Sequence, residues 1–356
     1  MSYCTSESTY WFRVSLRIYA RKIRIETGAA TFIPPRWLLF CLLQCAAGIT
    51  TTASLFGQPA TVHFQSIQDN QLYPQITCIR KDSPGFMWFG TSDGLTKYDG
   101  SNFKTYESDP ADTNSLPYNY ISALAEAPNH DLWVGTAQGL SLYRREQDNF
   151  SPVQAFEHQE ILCVNTLLYD QDSTLWVGTS GQGLFAYDLR DSSLTTYTHL
   201  TDSVPSVASN FVTALVEDDE GNIWIGTREG LDVFRKPSRT FHHFTYRNED
   251  DQSLSHHHIK SLVIDSPGRL WVGTYGGGLN LLEKKNGHYV FKHFRATDDP
   301  ASISNDHILS LQPDHTGGLW IGTENGGLNY LSRDATTFKL EVTTVSGSQR
   351  VKLIKE

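Results

Sequence analysis

Cysteine is scarce in this sequence, and most of it lies near the N-terminus. Of the five cysteines, three fall within the first 60 residues, which leaves only Cys78 and Cys163 for the rest of the chain. Neither belongs to a cluster with the spacing of metal ligands, and a disulfide-rich scaffold needs several cysteines close together. The sequence therefore excludes a cysteine-based metal cluster and requires no disulfide framework.

Basic residues are few in the body of the chain. The protein has 29 Lys and Arg against 39 Asp and Glu, which gives a formal net charge of -10. Residues 1–60 contain six of the basic residues and two of the acidic ones, so the remainder is more acidic than the whole. Binding to a nucleic-acid backbone depends on clustered Lys and Arg, and no such cluster follows Arg36. We therefore expect no nucleic-acid partner.

Long hydrophobic runs are also lacking. The densest apolar stretch, residues 37–49, is shorter than the about 20 residues that span a bilayer. It follows basic residues and precedes small residues at 53–60, an arrangement typical of a signal peptide. We predict that residues 1–60 form a leader with residues 37–49 as its hydrophobic region, and that the protein is exported to the periplasm. The alternative is an uncleaved anchor, which would be the membrane contact of the chain.

Linear catalytic and cofactor motifs are rare as well. The sequence contains no H-E-x-x-H, no P-loop and no G-x-G-x-x-G placed between a strand and a helix. The run His256, His257 and His258 invites a metal site, but successive strand residues point to opposite faces and no second ligand pair stands nearby. We predict no cofactor, no metal and no catalytic residue. A carboxylate pair such as Asp93 and Glu324 leaves a propeller lyase or glycosidase as a distant alternative.

Internal repetition is what the sequence has in abundance. The pattern W-x-G-T occurs six times at intervals of 43 to 49 residues. Its tryptophans are Trp88, Trp133, Trp176, Trp224, Trp271 and Trp320. Large buried aromatics at a constant repeat position favour a packing role, so we interpret these residues as structural.

Each repeat has the same internal order. An alternating apolar run such as ISALAEA precedes a polar turn and the W-x-G-T strand, then a Gly turn, a third alternating run and an aromatic run such as FKTYE follow. Period-2 alternation with turn residues between the runs predicts four short strands per unit. Four strands in about 45 residues, repeated, are typical of an all-β propeller with four-stranded antiparallel blades. We assign residues 61–344 to this propeller and 345–356 to a divergent tail.

The number of blades follows less directly from the sequence. Residues 63–67, HFQSI, have the composition of a fourth strand, yet the sixth unit already supplies its own fourth strand at 337–342. We therefore predict an incomplete seven-bladed ring. The alternative is a complete six-bladed ring in which residues 63–67 add to the sixth blade. An open ring exposes strand edges, which favour self-association or a periplasmic protein partner.

The repeats carry a family resemblance. Segments such as SLSHHHIKSLVIDSPGRLWVGT, ending at Thr274, and ITCIRKDSPGFMWFGTSDGLTKYDGSNFKTY, beginning at Ile76, resemble the two-component regulator propeller repeat. The resemblance implies the extracytoplasmic sensor region of a hybrid two-component histidine kinase of a Bacteroidota-type, Gram-negative bacterium. It also implies a ligand-sensing module linked to polysaccharide use, normally followed by further blades and a kinase. With only 26 residues after Tyr330, we expect the transmitter domains to be absent and the chain to be a truncated receptor.

Function is argued from one face of the propeller, where loops before the first strands meet hairpins between second and third strands. A polar and aromatic funnel there suits a small-molecule ligand of oligosaccharide type. The alternative is a stand-alone secreted propeller that serves as a protein-interaction scaffold. The candidate ligand-binding residues are Asn119, Tyr120, Asn210, Arg228, Glu229, His256, His257, Tyr275, Asn305, Asp306, Glu324 and Asn325.

Overall fold

The computed structural model describes residues 75–156, 163–199, 206–265, 268–333 and 338–342, which all fall within one of two compact units. The predicted leader, residues 63–67 and the predicted tail lie outside the described residues. Among the described residues, no helix combines the length and the apolar character needed to cross a membrane. The described residues form six four-stranded antiparallel sheets, which confirms the predicted all-β propeller architecture.

The strands of each blade follow chain order from the innermost to the outermost. Blades one to three comprise β1 (Ile76–Lys81), β2 (Met87–Thr91), β3 (Gly94–Tyr98), β4 (Phe103–Tyr106), β5 (Ile121–Glu126), β6 (Leu132–Thr136), β7 (Gly139–Arg144), β8 (Asn149–Pro152), β9 (Val164–Tyr169), β10 (Thr174–Thr179), β11 (Leu184–Asp188) and β12 (Ser193–Tyr197). Blades four to six comprise β13 (Val212–Glu217), β14 (Ile223–Thr227), β15 (Leu231–Arg235), β16 (Thr240–Phe244), β17 (Ile259–Ile264), β18 (Leu270–Thr274), β19 (Leu279–Lys285), β20 (His288–Phe294), β21 (Ile308–Pro313), β22 (Leu319–Thr323), β23 (Leu328–Leu331) and β24 (Lys339–Val342). A turn of 3-10 helix, Gln154–Phe156, follows β8.

In blades one to five, the tryptophan of the W-x-G-T strand lies on the face that meets the following blade. Trp88 packs with its ring centroid 4.8 Å from that of Tyr143 in blade two, and Trp176 lies 5.5 Å from Phe234 in blade four. All six repeat tryptophans are buried, with at most 8% of their surface exposed. Large rings fill the gap between neighbouring wedge-shaped sheets, so the main cores form at the blade junctions.

The glycine of W-x-G-T is required by the same junction. A methyl group placed on Gly226 would lie 2.7 Å from Cγ2 of Ile259, the first residue of the next inner strand. Gly273 stands in the same relation to Ile308, also at 2.7 Å. Because real contacts of that kind are longer, only glycine lets the next blade approach this closely.

The threonine of W-x-G-T fastens the hairpin that follows it. In every blade its hydroxyl Oγ1 donates to a glycine carbonyl three or four residues later, at 2.7 to 3.0 Å. The threonines are fully buried, with at most 1% exposed. A buried hydroxyl needs such a partner, so the fourth letter of the motif fixes the geometry of the hairpin.

An aspartate six residues before the tryptophan accepts a hydrogen bond from the indole. Nε1 of the tryptophan lies 2.7 to 2.8 Å from a carboxylate oxygen of Asp82, Asp170, Asp218 and Asp265. In Asp218 the other oxygen accepts the backbone N–H of Asn222 at 2.8 Å, which closes the turn between first and second strands. Blade two has Ala127 at this position, and Nε1 of Trp133 is buried with no hydrogen-bond partner among the described residues.

The first strand of every blade carries a β-bulge at its second residue. In blades one to four this bulge residue is polar and donates to the carbonyl of the first inner-strand residue of the next blade. Thr213 Oγ1 reaches the Ile259 carbonyl at 2.8 Å, and Asn165 Nδ2 reaches the Val212 carbonyl at 3.0 Å. The bulges therefore tie successive blades together around the central channel.

The flank of blade one differs from the equivalent flank of the other blades. The first inner-strand residue and the residue before the tryptophan are buried in blades two to six, as in Ile121 and Leu132, both 0% exposed. Their counterparts in blade one, Ile76 and Met87, are only half-buried. Inner strands of successive blades pack together from β1 to β21, and within the described residues β21 does not pack against β1 in this way.

Candidate functional site

The rim of the channel is built from one residue pair per blade. The residue after each W-x-G-T donates its backbone N–H to the carbonyl of the residue before the inner strand, at 2.9 to 3.1 Å. These pairs are Gln75 and Ser92, Tyr120 and Ala137, Cys163 and Ser180, Phe211 and Arg228, His258 and Tyr275, and His307 and Glu324. We call these twelve residues the mouth. The backbone of the mouth repeats from blade to blade, whereas its side chains do not.

A cavity of about 1670 Å³ opens at the mouth and extends between the inner strands. Residues from all six blades line it, including the bulge residues Thr77, Ser122, Asn165, Thr213, Lys260 and Leu309 near its wall. Lys260 is the charged residue among these six. The cavity therefore has a polar wall and is large enough for a small ligand.

Aromatic and charged side chains concentrate in blades four to six. The Arg228 guanidinium lies 4.6 Å from the ring centroid of Phe211. The Tyr275 ring lies 5.6 Å from the His258 ring and 4.4 Å from the His307 ring, and Lys260 Nζ lies 5.4 Å from the Tyr275 centroid. Blades one to three present smaller side chains at most mouth positions, with Tyr120 as the exception. The mouth is therefore chemically asymmetric.

Burial, together with the nearby positive charges of Lys260 and Arg228, lowers the pKa of His258 to about 3. The imidazole is thus neutral at physiological pH. Its Nε2 atom is buried and has no hydrogen-bond partner within the part of the chain that the structure describes. A neutral ring nitrogen without a partner can donate to or accept from a ligand atom, depending on the tautomer.

Five of the twelve predicted ligand-binding residues line the cavity. These five are Asn119, Tyr120, Arg228, Tyr275 and Glu324. The other seven predicted residues do not line it: Asn210, Glu229, His256, His257, Asn305, Asp306 and Asn325.

Asn119, Asn210 and Asp306 occupy one repeat position and share a structural role. Their side-chain oxygens accept backbone N–H groups that follow the fourth strand of the preceding blade, at 2.6 to 2.7 Å. Their backbone carbonyls accept N–H groups from hairpin glycines of that same preceding blade, at 2.7 to 3.1 Å. Each residue therefore latches two blades together, and its side-chain oxygen is already engaged.

The remaining predicted residues lie in local turns. Asn305 Oδ1 accepts the His307 backbone N–H at 2.8 Å, and the backbone N–H of Glu229 donates to Thr227 Oγ1 at 3.1 Å. Asn325 has a left-handed φ of 63°, as a hairpin position requires. The His256 and His257 rings stack at 4.2 Å, outside the lining of the cavity.

One acidic group among the described residues has a geometry that could suit a metal, and a lysine occupies it. The carboxylates of Asp170, Asp172 and Glu217 lie within 4.8 Å of one another. Lys236 Nζ contacts all three, at 2.7, 2.8 and 2.7 Å. We call these four residues the Lys236 cluster. The ammonium group thus occupies the position between the carboxylates, and its contacts join blades three and four.

Residues 90–94, GTSDG, match the G-x-S-x-G pattern of serine hydrolases in letters alone. In those enzymes the serine sits on a turn from a strand to a helix. Here Ser92 lies between the antiparallel strands β2 and β3, and its backbone N–H donates to the Gln75 carbonyl at 3.0 Å. The segment is therefore a propeller hairpin.

The bulge residues and Tyr118 also line the cavity, but they were not among the predicted ligand-binding residues. Bulge residues occupy the second position of each inner strand, where the six units read Thr, Ser, Asn, Thr, Lys and Leu. A polar residue that recurs inside an apolar run is the signal that could have identified them.

Five segments of the chain match the family described as the two component regulator propeller: residues 71–93, 115–138, 206–229, 253–276 and 302–325. Each segment holds one inner strand and one W-x-G-T strand, and the unit of Trp176 lies outside them. Five of the six repeat units thus match the two-component regulator propeller family, which confirms the resemblance seen in the sequence.

A relative named histidine kinase P4, from Formosa agariphila, is 30% identical over 170 residues. The match covers 45% of this chain and 12% of the relative, so the chain spans about an eighth of that protein.

Solved structures share the fold at low sequence identity. An extracellular domain assigned to a hybrid two-component system of B. thetaiotaomicron gives a TM-score of 0.54 at 23% identity, over 73% of this chain and 40% of that one. PorZ, a surface component of the type-IX secretion system of Porphyromonas gingivalis, gives 0.56 at 18%, over 72% and 38%. Virginiamycin B lyase from Staphylococcus aureus gives 0.57 at 12%, over 78% and 86%. These similarities establish the propeller fold alone.

Proposed function

We propose that this chain is the ligand-binding sensor propeller of a signalling receptor, because five of its six repeat units match the two-component regulator propeller family. The propeller is non-catalytic and binds a carbohydrate-type ligand at the mouth. In such a receptor, phosphotransfer is carried out by other domains. The match to the histidine kinase relative covers only 12% of that protein's length, which leaves room there for such domains.

The mouth is the observation that carries this proposal. A repeated backbone holds twelve side chains of differing chemistry, ten of which line a cavity of about 1670 Å³. Tyr118 and Tyr120, which line it, are 40% and 38% exposed, so their rings are accessible to a sugar ring. Exposed aromatic faces beside hydrogen-bonding groups are the recognition chemistry that a carbohydrate needs.

Two observations support an extracytoplasmic location. The leader at 1–60 has the pattern of an export signal. Two of the structural neighbours are extracellular domains of two-component or one-component systems of B. thetaiotaomicron. We accordingly place the propeller in the periplasm of a Gram-negative bacterium.

We further propose that the ring is an incomplete seven-bladed one. The half-buried Ile76 and Met87 mark a flank that a preceding blade would cover. Met87→Lys and Leu132→Lys test this, because both residues precede a repeat tryptophan and Leu132 is 0% exposed. We expect Leu132→Lys to unfold the protein and Met87→Lys to be tolerated. Equal destabilisation would favour a closed six-bladed ring.

Binding at the mouth is tested by isothermal titration of the purified chain against oligosaccharides. Tyr118→Ala should weaken binding about 2- to 10-fold, from the loss of one ring contact of about 0.5–1.5 kcal/mol. Tyr246→Ala is the matched control, because Tyr246 is also 40% exposed but does not line the cavity. If the purified chain bound a periplasmic protein but showed no saturable binding of any glycan, the scaffold function would be favoured instead.

A further inference from the structure

Positive charge lies on one side of the cavity. Arg228 belongs to the mouth in blade four, and Lys260 is the bulge residue of the inner strand in blade five. The charges of both side chains lower the pKa of His258, so all three side chains lie close enough to interact electrostatically. Lys260 interrupts a series of uncharged bulge residues, which in blades one to four bond to the next blade.

Arg228 is held in place without an acidic partner. Its guanidinium stacks on Phe211 at 4.6 Å, and among the described residues it forms no ion pair. Stacking on an aromatic face leaves the edges of a guanidinium, with their N–H donors, directed away from the ring. A half-buried arginine in this state can form a bidentate hydrogen-bonded pair with a carboxylate or a sulfate.

His258 completes this wall of the cavity. It is neutral, so it adds no charge to Arg228 and Lys260, and its buried Nε2 atom has no hydrogen-bond partner in the described segments. The carboxylates that line the cavity, Asp93 and Glu324, belong to blades one and six. The cavity therefore has a basic wall at blades four and five and an acidic side at blades six and one.

From this arrangement we infer that the ligand carries an anionic group, which Arg228 and Lys260 bind at the wall formed by blades four and five. The inference rests on the proposed function and narrows it to acidic oligosaccharides. The anionic group is the carboxylate of a uronic acid or a sulfate ester, since both present oxygens to guanidinium and ammonium donors. The tyrosines of blade two face the sugar rings.

The test titrates the full chain with tetrasaccharides that differ only in charge. Tetragalacturonate is compared with its methyl ester, and chondroitin sulfate with its desulfated form, beside neutral xylan and glucan tetrasaccharides. We expect at least one of the two acidic forms, tetragalacturonate or chondroitin sulfate, to bind at least about tenfold more tightly than the matched form that lacks its free carboxylates or its sulfates, with affinity falling as salt rises. Loss of affinity on methyl esterification identifies a uronate ligand, and loss on desulfation identifies a sulfate ligand.

Three variants locate the anionic group. Arg228→Gln should lower affinity for the acidic ligand about tenfold or more and leave affinity for the neutral counterpart unchanged. Arg235→Gln, at the exposed end of β15 and outside the cavity lining, is the matched control and should have no effect. Asp93→Asn removes a carboxylate from the opposite side, and a fall in acidic-ligand affinity there would contradict the proposed polarity.

Failure of this inference and failure of the proposed function give different results. Equal binding of charged and uncharged tetrasaccharides, or an unaffected Arg228→Gln, overturns the anionic group but leaves a glycan sensor. No saturable binding of any tetrasaccharide overturns both. Thermal unfolding of each variant confirms that a loss of binding is not a loss of fold.

Discussion

The bond between the repeat aspartate and the repeat tryptophan makes a quantitative prediction in blade four. Asp218 accepts the Trp224 indole N–H at 2.8 Å through one carboxylate oxygen and closes a turn with the other. In Asp218→Asn one acceptor oxygen is replaced by an NH₂ group. The remaining oxygen can still close the turn, but the indole N–H then faces a donor.

The size of the effect follows from the burial of the indole, since Trp224 is only 5% exposed. A buried donor left without an acceptor costs about 1–3 kcal/mol, and a hydrogen bond to a charged group contributes about 1.5–3 kcal/mol. We therefore expect Asp218→Asn to lower the free energy of unfolding by about 2 kcal/mol. The measurement is urea denaturation followed by far-UV circular dichroism.

A double-mutant cycle with Trp224→Phe isolates the bond. Phenylalanine keeps an aromatic ring but has no N–H, so Asp218→Asn should cost much less in that background. We expect a coupling energy of about 1.5–3 kcal/mol between the two positions. A coupling below about 0.5 kcal/mol would refute the argument, because the indole bond would then contribute no more than surface contacts do.

Three further predictions concern contacts within blade four and at its junctions with the neighbouring blades. Gly226→Ala should lower the melting temperature through its 2.7 Å contact with Ile259, at a cost of about 1–3 kcal/mol, and Ile259→Ala in the same chain should recover part of it. Lys236→Met should destabilise the protein by about 3–5 kcal/mol in denaturant titrations, because the Lys236 cluster loses its cation. The hydrogen bond from His243 to the buried carboxylate of Asp232 raises the pKa of His243. Its contribution to stability is therefore complete below the unfolded-state pKa and is lost as pH rises through the higher folded-state pKa. The denaturation midpoint should accordingly decrease as pH rises above about 6.5, and this decrease should be smaller in Asp232→Asn.

The fold was predictable because its determinants recur within the chain. Six copies of W-x-G-T fixed the number of units described, and alternation between turns located the strands. The physical roles of the letters were only partly accessible. Position 226 must be glycine because Ile259 of the next blade packs closely against it. These two residues are far apart in sequence, and strand periodicity gives no information about such pairs.

The site was harder to predict for the same reason. Asn119, Asn210 and Asp306 are polar loop residues near the rim, as ligand-binding residues commonly are, but their acceptor oxygens serve the preceding blade. Lys260 is part of an apolar-looking strand, and only the bulge turns it toward the cavity. Local sequence shows residue type, whereas the partner across a blade boundary decides whether that residue is available.

Comparison among the six units offers a way to separate these roles. Positions that keep both their place and their chemistry, such as the Thr of W-x-G-T or the latch residues Asn119 and Asn210, have the same hydrogen-bond partners in each blade that contains them. Mouth positions keep their backbone bond but change side chain, from Ser92 in blade one to Arg228 in blade four. Because that backbone bond does not depend on the side chain, these positions can change without loss of the fold, and ligand specificity can reside there.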